Sequence, residues 1–257
     1  MNSVMLGWFA TCLLFCGMLV MLEVGRRLGA RAFAADKEAK NGVGPVEGAV
    51  FALLGLLMAF TFSGALSRFD ERRGWIVDEA NAVGTAWLRI DLVPEAQQAQ
   101  LRDRLRAYVD ARLAGYARLH AESHPEAVFA DAERLGSELW RAATGAVQPP
   151  ALPAASTLLL PALNDVFDLA AVRAAAITRH PPTVVYTMLF VLALTAALFA
   201  GYGMGICQRR RWLHTIGFAL VICGTVGVTL DVEHPRQGLI RIDGFDQTLA
   251  QVRAAMR

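Results

Sequence analysis

The sequence offers few side chains with the spacing that catalysis or metal binding requires. His120 and His124 are four residues apart in HAESH, which can place two imidazoles on one helix face as metal ligands. The glutamate between them is not where a zinc metalloprotease helix carries its general base, and Pro125 follows directly. A helix end explains this pair better than a metal site. We therefore predict that the protein has no metal, no cofactor and no catalytic residue, and that it is not an enzyme.

Two glycine-containing segments indicate membrane helices rather than phosphate binding. GYGMG, residues 201–205, lies in an apolar run and has the small-xxx-small spacing of closely packed membrane helices. GTVGV, residues 224–228, is similar to a potassium filter, but no re-entrant pore segment surrounds it. The four cysteines lie in apolar runs or at their ends and are typical of small buried hydrophobes.

Composition indicates the class of protein that carries these segments. Of the 257 residues, 55% are hydrophobic and only 19% are charged, and the mean hydropathy is +0.38. A soluble domain of this length would carry more charge, so the chain is predicted to lie in a lipid bilayer. The formal net charge of +2 gives no indication of a nucleic-acid partner.

Four runs are long enough to span a membrane, at about 20 apolar residues per span. They are residues 1–22, 48–67, 181–208 and 212–230. The first could instead be a signal peptide cleaved after Ala34. It has no basic residue before the apolar run, and three arginines separate the run from that site. We expect four retained helices.

The block between the second and third spans has helical periodicity throughout, and no window alternates with period two. Ile76, Ala80, Val83 and Trp87 continue the second helix as an apolar seam until Asp91–Pro94 breaks it. A second stripe contains Leu101, Leu105, Tyr108, Leu113, Tyr116 and Leu119, and we place Arg102, Arg104, Arg106, Asp110 and Arg112 outside it.

This pattern predicts an all-α integral membrane protein with four transmembrane helices, of which the second and third extend into a helical extramembrane domain. The predicted boundaries are 1–67 for the first two helices, 68–180 for the helical domain, 181–230 for the last two helices and 231–257 for the tail.

The charged end of the second span allows two interpretations. In AFTFSGALSRFDERRGW the apolar helix continues into Arg68, Arg72 and Arg73, with Asp70 and Glu71 among them. Interfacial arginines commonly extend toward the lipid headgroups and pair with nearby carboxylates. In an assembly of several copies the same residues could instead form a charged ring at a pore mouth. The first interpretation is the more common one.

Membrane orientation follows from the basic residues. The two short loops hold eight lysines and arginines, and the flanks on the other side hold seven. No basic residue precedes the first helix, and short loops and the first helix dominate orientation. We therefore expect the short loops in the cytoplasm, with the helical domain and both termini outside.

Several segments together resemble the bacterial bestrophin-like domain family, whose function is unassigned. They are AFTFSGALSRFDERRGW, IVDEANAVGTAWLRIDLVPE, LRAYVDARL, LLPALNDVFDLAAVRAAA and DVEHPRQGLIRID. The likeness extends more distantly to bestrophins, pentameric anion channels with four membrane helices per subunit. It implies a homo-oligomer, a pentamer by resemblance, in the bacterial inner membrane, with inorganic anions as permeant species. It also implies that Leu56 and Phe60 form a hydrophobic neck and that Ser63 faces the lumen.

The resemblance also has consequences for the charged segments. Glu233-x-Pro235 is not followed by the acidic run of bestrophins, so calcium control is not expected. The likeness places the helical domain in the cytoplasm, opposite to the charge count. If the second and third helices pack together, as the likeness implies, Arg68, Arg72 and Arg73 could pair with Asp165 or Asp168.

Two functional hypotheses stay open. The first is an oligomeric ion channel that conducts anions. The second is a non-conducting membrane scaffold or sensor whose helical domain binds a protein or a small ligand. The second is supported by the lack of acidic or basic residues inside the four spans, since transporters and pumps use such charges for coupling.

Overall fold

The computed structural model describes residues 3–35, 43–119, 125–147, 153–205, 212–235 and 238–257. The described residues contain helices and no strand, which confirms the all-α prediction. The helices are α1 (Ser3–Ala35), α2 (Val43–Arg89), α3 (Glu95–Arg118), α4 (Pro125–Val128), α5 (Ala130–Ala146), α6 (Pro153–Thr178), α7 (Thr183–Met204), α8 (Trp212–Glu233) and α9 (Asp243–Ala255).

The chain divides into two compact units. Met1–Phe69 and His180–Ile240 form one, which we call the membrane unit, and Asp70–Arg179 and Arg241–Arg257 form the other, the helical unit. Four helices of the described chain are long and apolar enough to cross a membrane, which confirms the number predicted. Of residues 231–257, those up to Ile240 belong to the membrane unit, and Arg241–Arg257, with α9, belong to the helical unit.

The second membrane helix continues past its apolar part, as the sequence predicted. α2 is one helix of 47 residues that ends at Arg89 and is followed by a 3-10 turn at Ile90–Leu92. The third span differs, since α6 ends at Thr178 and α7 begins at Thr183. Pro181 and Pro182 explain the interruption, because proline lacks the N–H that a continuous helix would need there.

The core of the membrane unit is formed by apolar side chains from all four of its helices. Buried members include Leu14, Met18 and Leu22 of α1, Leu54 of α2, Leu189 of α7 and Cys223 of α8. Cys223 is 4% exposed, consistent with its prediction as a small buried hydrophobe. Cys12 and Cys16 are exposed on α1, where that prediction is wrong.

Glycines allow α1 and α7 to approach each other closely. A Cβ atom on Gly201 of α7 would collide with the carbonyl oxygen of Leu22, and one on Gly25 of α1 would collide with that of Leu198. Both obstacles are backbone atoms, which cannot move aside as a flexible side chain would. The close helix packing predicted from GYGMG is thus confirmed, with Gly25 supplying the opposite surface.

Replacing Gly201 with alanine is expected to destabilise the membrane unit by about 1–3 kcal/mol, the usual cost of overpacking. The added methyl group would force α1 and α7 apart. Gly224→Ala on α8 is the matched control, since nothing described lies within 4 Å of a Cβ built there. Unfolding in mixed detergent micelles would measure the difference, and equal stabilities of the two variants would contradict this account of the contact.

The helical unit has its own core, built by the two apolar stripes of the sequence. Leu101, Leu105 and Tyr108 of α3 are buried, as predicted, with Ile76, Ala80 and Val83 of α2. Leu139 of α5, Leu159 and Leu163 of α6 and Leu249 of α9 complete the cluster. Arg112 is the exception to the prediction, because it is only 4% exposed and not outside the stripe.

Candidate functional site

The three residues predicted to line a pore share one exposed face of α2. Leu56 and Phe60 are 52% and 68% exposed, and Ser63 is exposed as well. Positions four and three residues apart lie on one side of a helix, so the three side chains form a stripe. Their places in this fold therefore allow contact with lipid, with another copy of the chain or with a lumen. The pore-lining role stays a prediction.

The opposite face of α2 is fixed inside the membrane unit. Leu54 and Ala65 are 2% and 0% exposed, and Leu57 and Met58 pack against the same core. Thr61 donates its hydroxyl hydrogen to the carbonyl oxygen of Leu57 at 2.9 Å, which satisfies a polar group inside the bilayer. One face of the helix is thus used for folding, and the Leu56–Phe60–Ser63 face is left available.

Arg68 follows the apolar part of α2 and forms an ion pair with Glu233 of α8 in the membrane unit. Its Nε donates to Oε1 of Glu233 at 3.0 Å, and its Nη2 donates to Oε2 at 2.8 Å. The Glu233 side chain is 0% exposed, whereas that of Arg68 is 31% exposed. A two-pronged guanidinium–carboxylate pair is strong and has a fixed geometry. It joins the middle of α2 to the end of α8, and the pair has no net charge.

Two histidines lie beside this pair. The Nδ1 atom of His180 is 3.6 Å from Oε1 of Glu233, and the ring of His180 stacks on that of His234 with centroids 5.0 Å apart. Asp231, one turn before Pro235, accepts hydrogen bonds from the backbone N–H groups of Leu239 and Ile240 at 2.9 and 2.8 Å. The end of α8 is therefore ordered by two acidic side chains of the Asp-Val-Glu segment.

The remaining predicted pairing residues lie in the helical unit, at different places. Nη2 of Arg72 donates to the carbonyl oxygen of Arg179 at 2.9 Å, while Arg73 contacts Asp70 at 3.2 Å and lies over the ring of Phe245. Asp165 and Asp168 are exposed on α6, where Asp168 accepts a hydrogen bond from Asn164 at 2.7 Å. Pairing of these arginines with either aspartate stays a prediction.

A buried polar network occupies the centre of the helical unit. Glu79 of α2, which is 0% exposed, accepts a hydrogen bond from Nε of Arg112 at 3.1 Å and contacts Arg173 of α6 as an ion pair. Arg173 also donates to Asp246 of α9 at 2.8 Å. Two arginines and two carboxylates balance in charge, as buried ions must if the fold is to tolerate them.

Tyr116 completes this network. Its hydroxyl donates to Oε2 of Glu79 at 3.0 Å and accepts a hydrogen bond from Arg112. Burial, and then the negative charge of Glu79, raises the pKa of Tyr116 above its ordinary range. The phenol therefore keeps its proton at neutral pH and remains a donor to Glu79. The guanidinium of Arg173 lies 3.9 Å from the centre of the Tyr116 ring, a cation–π contact.

Sequence reasoning missed most of this network. Arg112 is seven residues after Leu105 and four before Tyr116, so its position on the buried stripe was available from helical periodicity. Its charge led to the opposite assignment. Arg173 and Asp246 come from distant parts of the chain, and no local pattern indicates that they meet. The predicted helix end at His120 and His124 lies outside the described residues.

Comparison with known proteins identifies the family. Residues 12–244 match the bestrophin-like domain. No curated protein matches the sequence.

Solved structures share the fold. One is a bacterial bestrophin homologue from Klebsiella pneumoniae with a tyrosine-to-alanine substitution, at a TM-score of 0.67 and 11% identity over 93% of this chain and 96% of that one. Another structure of a bacterial bestrophin homologue from Klebsiella pneumoniae, with an isoleucine-to-threonine substitution, has a TM-score of 0.66. Its sequence is 13% identical, and the match covers 94% of this chain and 98% of that one. These identities support the fold alone, whereas the family match covers nearly the whole sequence. The chain belongs to the bestrophin-like family.

Proposed function

We propose that this protein is an oligomeric membrane channel that conducts inorganic anions, with the Leu56–Phe60–Ser63 face of α2 lining the pore. Support comes from the family, from the bestrophin fold and from one observation on the chain itself. That observation is the exposed apolar face of a membrane helix whose opposite face contains the buried Leu54 and Ala65. A ring of such faces around an axis would form an apolar constriction followed by a hydroxyl-lined segment, and apolar constrictions gate by excluding water.

Anion selectivity is the part of the proposal that rests most on the family. Arg68 is paired with Glu233, so this pair adds no net positive charge at the end of the predicted pore segment. Reconstitution of the purified oligomer in planar bilayers under a potassium chloride gradient tests the proposal. The reversal potential is expected near the chloride equilibrium potential, and no current at any voltage from a verified oligomer would overturn the proposal.

Phe60→Ala is expected to raise the single-channel conductance several-fold, because a smaller side chain widens the constriction and lowers the cost of keeping it wet. Phe9→Ala on α1 is a matched control, since Phe9 is 64% exposed and Phe60 is 68% exposed. Single-channel recording of both variants gives the measurement. An equal conductance for Phe60→Ala and the unchanged protein would remove α2 from the pore wall.

We propose a homo-oligomer, a pentamer by resemblance, because a single copy leaves the Leu56–Phe60–Ser63 face without a lumen. The mass of the detergent-solubilised particle, followed by a map at side-chain resolution, would establish the subunit number. A closed ring favours the channel. A monomer or dimer would favour the alternative, a scaffold or sensor whose helical domain binds a ligand.

We further propose that the protein is a multi-pass protein of the bacterial inner membrane with its two short loops in the cytoplasm. The three consecutive arginines at 209–211 support this orientation, since such a short basic loop is hard to translocate. The helical unit would then lie outside the cytoplasm, opposite to what the bestrophin likeness implies. Reporter fusions at the C-terminus and in the loop around residues 36–42 would decide between the two orientations.

A further inference from the structure

The helical unit contains a cavity that its core does not fill and that has no part in the proposed pore. It has a volume of about 540 Å³ and lies among residues of α3, α5 and α6, including Phe129 immediately before α5. Volumes of 300–1,000 Å³ are typical of sites for small organic molecules. Small residues create the space: Ala132 and Gly136 come from α5, and Ala171 and Ala174 come from α6.

Aromatic side chains form much of the wall and are held in place by one another. The rings of Tyr108 and Phe167 meet edge to face with centroids 5.5 Å apart, and Trp140 meets Phe167 at 6.3 Å. Tyr108 and Phe129 are each 3% exposed, while Trp140 is 36% exposed. A preformed aromatic wall favours a flat, ring-containing molecule, because stacked and edge-to-face contacts add to simple burial.

Arg112 gives the cavity a polar recognition element. Its side chain is 5% exposed, and its guanidinium is held over the Phe129 ring, 4.4 Å from the ring centre. Its Nε and Nη2 atoms donate to Glu79, Tyr116 and the carbonyl oxygen of Ala170. Among the described residues Nη1 has no such acceptor, and Arg112 lines the cavity. A bound molecule with an acceptor oxygen would supply the hydrogen-bond acceptor that Nη1 lacks.

The charges around the cavity restrict the occupant further. The buried network is balanced when Arg112 is counted with Arg173 against Glu79 and Asp246, and one residue of each charge, Glu133 and Arg141, is exposed in the wall of the cavity. No group in the wall other than Glu133 would hold a cation. A carboxylate is the strongest partner of a guanidinium, because both of its oxygens can accept.

We propose that this cavity is a binding site for a small aromatic carboxylate, with its ring between Phe129, Trp140 and Phe167 and its carboxylate on Nη1 of Arg112. The site shares no residue with the proposed pore face, so its test does not require that the protein conducts ions.

The probe is 1-naphthoate, added to the full-length protein in lipid nanodiscs and followed by quenching of tryptophan fluorescence, with empty nanodiscs as background. Saturable quenching is expected, and it should be lost in Trp140→Phe, which assigns the signal to the cavity. The cation 1-naphthylmethylamine has the same ring system and is expected to bind at least about tenfold more weakly, since it would face the guanidinium.

A pair of variants tests the location without disturbing the buried network. Ala171→Phe would fill the cavity from α6 and is expected to weaken 1-naphthoate binding by about tenfold or more. Ala175→Phe is the control, because Ala175 is exposed on the same helix and does not line the cavity. Equal affinity in both variants would overturn the proposed site. Equal affinity for the amine would overturn the role of Arg112, and no binding at all, as in a cavity closed by a neighbouring copy, would overturn the whole inference.

Discussion

Replacing Glu79 with glutamine is expected to lower the free energy of unfolding by about 3–5 kcal/mol, the cost of removing one partner from a buried ion pair. Arg112 and Arg173 are 4% and 5% exposed, so solvent cannot replace the lost carboxylate. The glutamine amide would also direct N–H groups toward guanidinium donors, where only an acceptor is tolerated. For a chain of this size the thermal midpoint should fall by on the order of 10 °C.

Asp78→Asn is the matched control for this variant. Asp78 precedes Glu79 on α2 and loses the same charge when substituted, but it is exposed. Its effect is expected to stay within about 0.5 kcal/mol, as for most surface substitutions. If the chain with Glu79→Gln does not fold, the yield of folded protein relative to that of Asp78→Asn reports the same difference. Two variants of equal stability would show that the network does not hold the helical unit together.

Removing Arg68 is expected to be the second most costly change, because it leaves the buried carboxylate of Glu233 without its two-pronged partner. Hydrogen bonds to charged groups contribute about 1.5–3 kcal/mol, and Arg68→Gln should destabilise the membrane unit by that amount. The effect should be smaller than at Glu79, since the Arg68 side chain is 31% exposed and water can reach the site. Unfolding in mixed detergent micelles would measure it.

A double-mutant cycle separates the pair from the individual residues. Arg68→Gln combined with Glu233→Gln should cost less than the sum of the two single changes, because neither charge is then left alone. Arg27→Gln serves as the exposed control, since its ion pair with Glu23 lies on one helix with the arginine side chain 66% exposed. Strictly additive single effects would mean that the Arg68–Glu233 contact does not stabilise the packing of α2 against the end of α8.

The amino-acid sequence by itself determined the elements of this protein. Membrane spans depend on length and apolarity, and helix interruptions depend on proline, so both are local properties. For that reason the four spans, the continuous α2, the end of that helix before Pro94 and the helical character of the middle block were all predictable. The assignment of Leu56, Phe60 and Ser63 to a pore came from the family likeness alone, and it stays a prediction.

Tertiary structure alone decided which charged groups are buried and with which partners. Glu79 adjoins Ala80 of the α2 seam in the sequence, but its burial is stable only because Arg112 and Arg173 approach it from two other helices. Arg68 pairs with Glu233, which is 165 residues away along the chain. Such pairs depend on long-range geometry, because a buried charge is stable only where an opposite charge reaches it, and no local pattern of residue types records where distant helices meet.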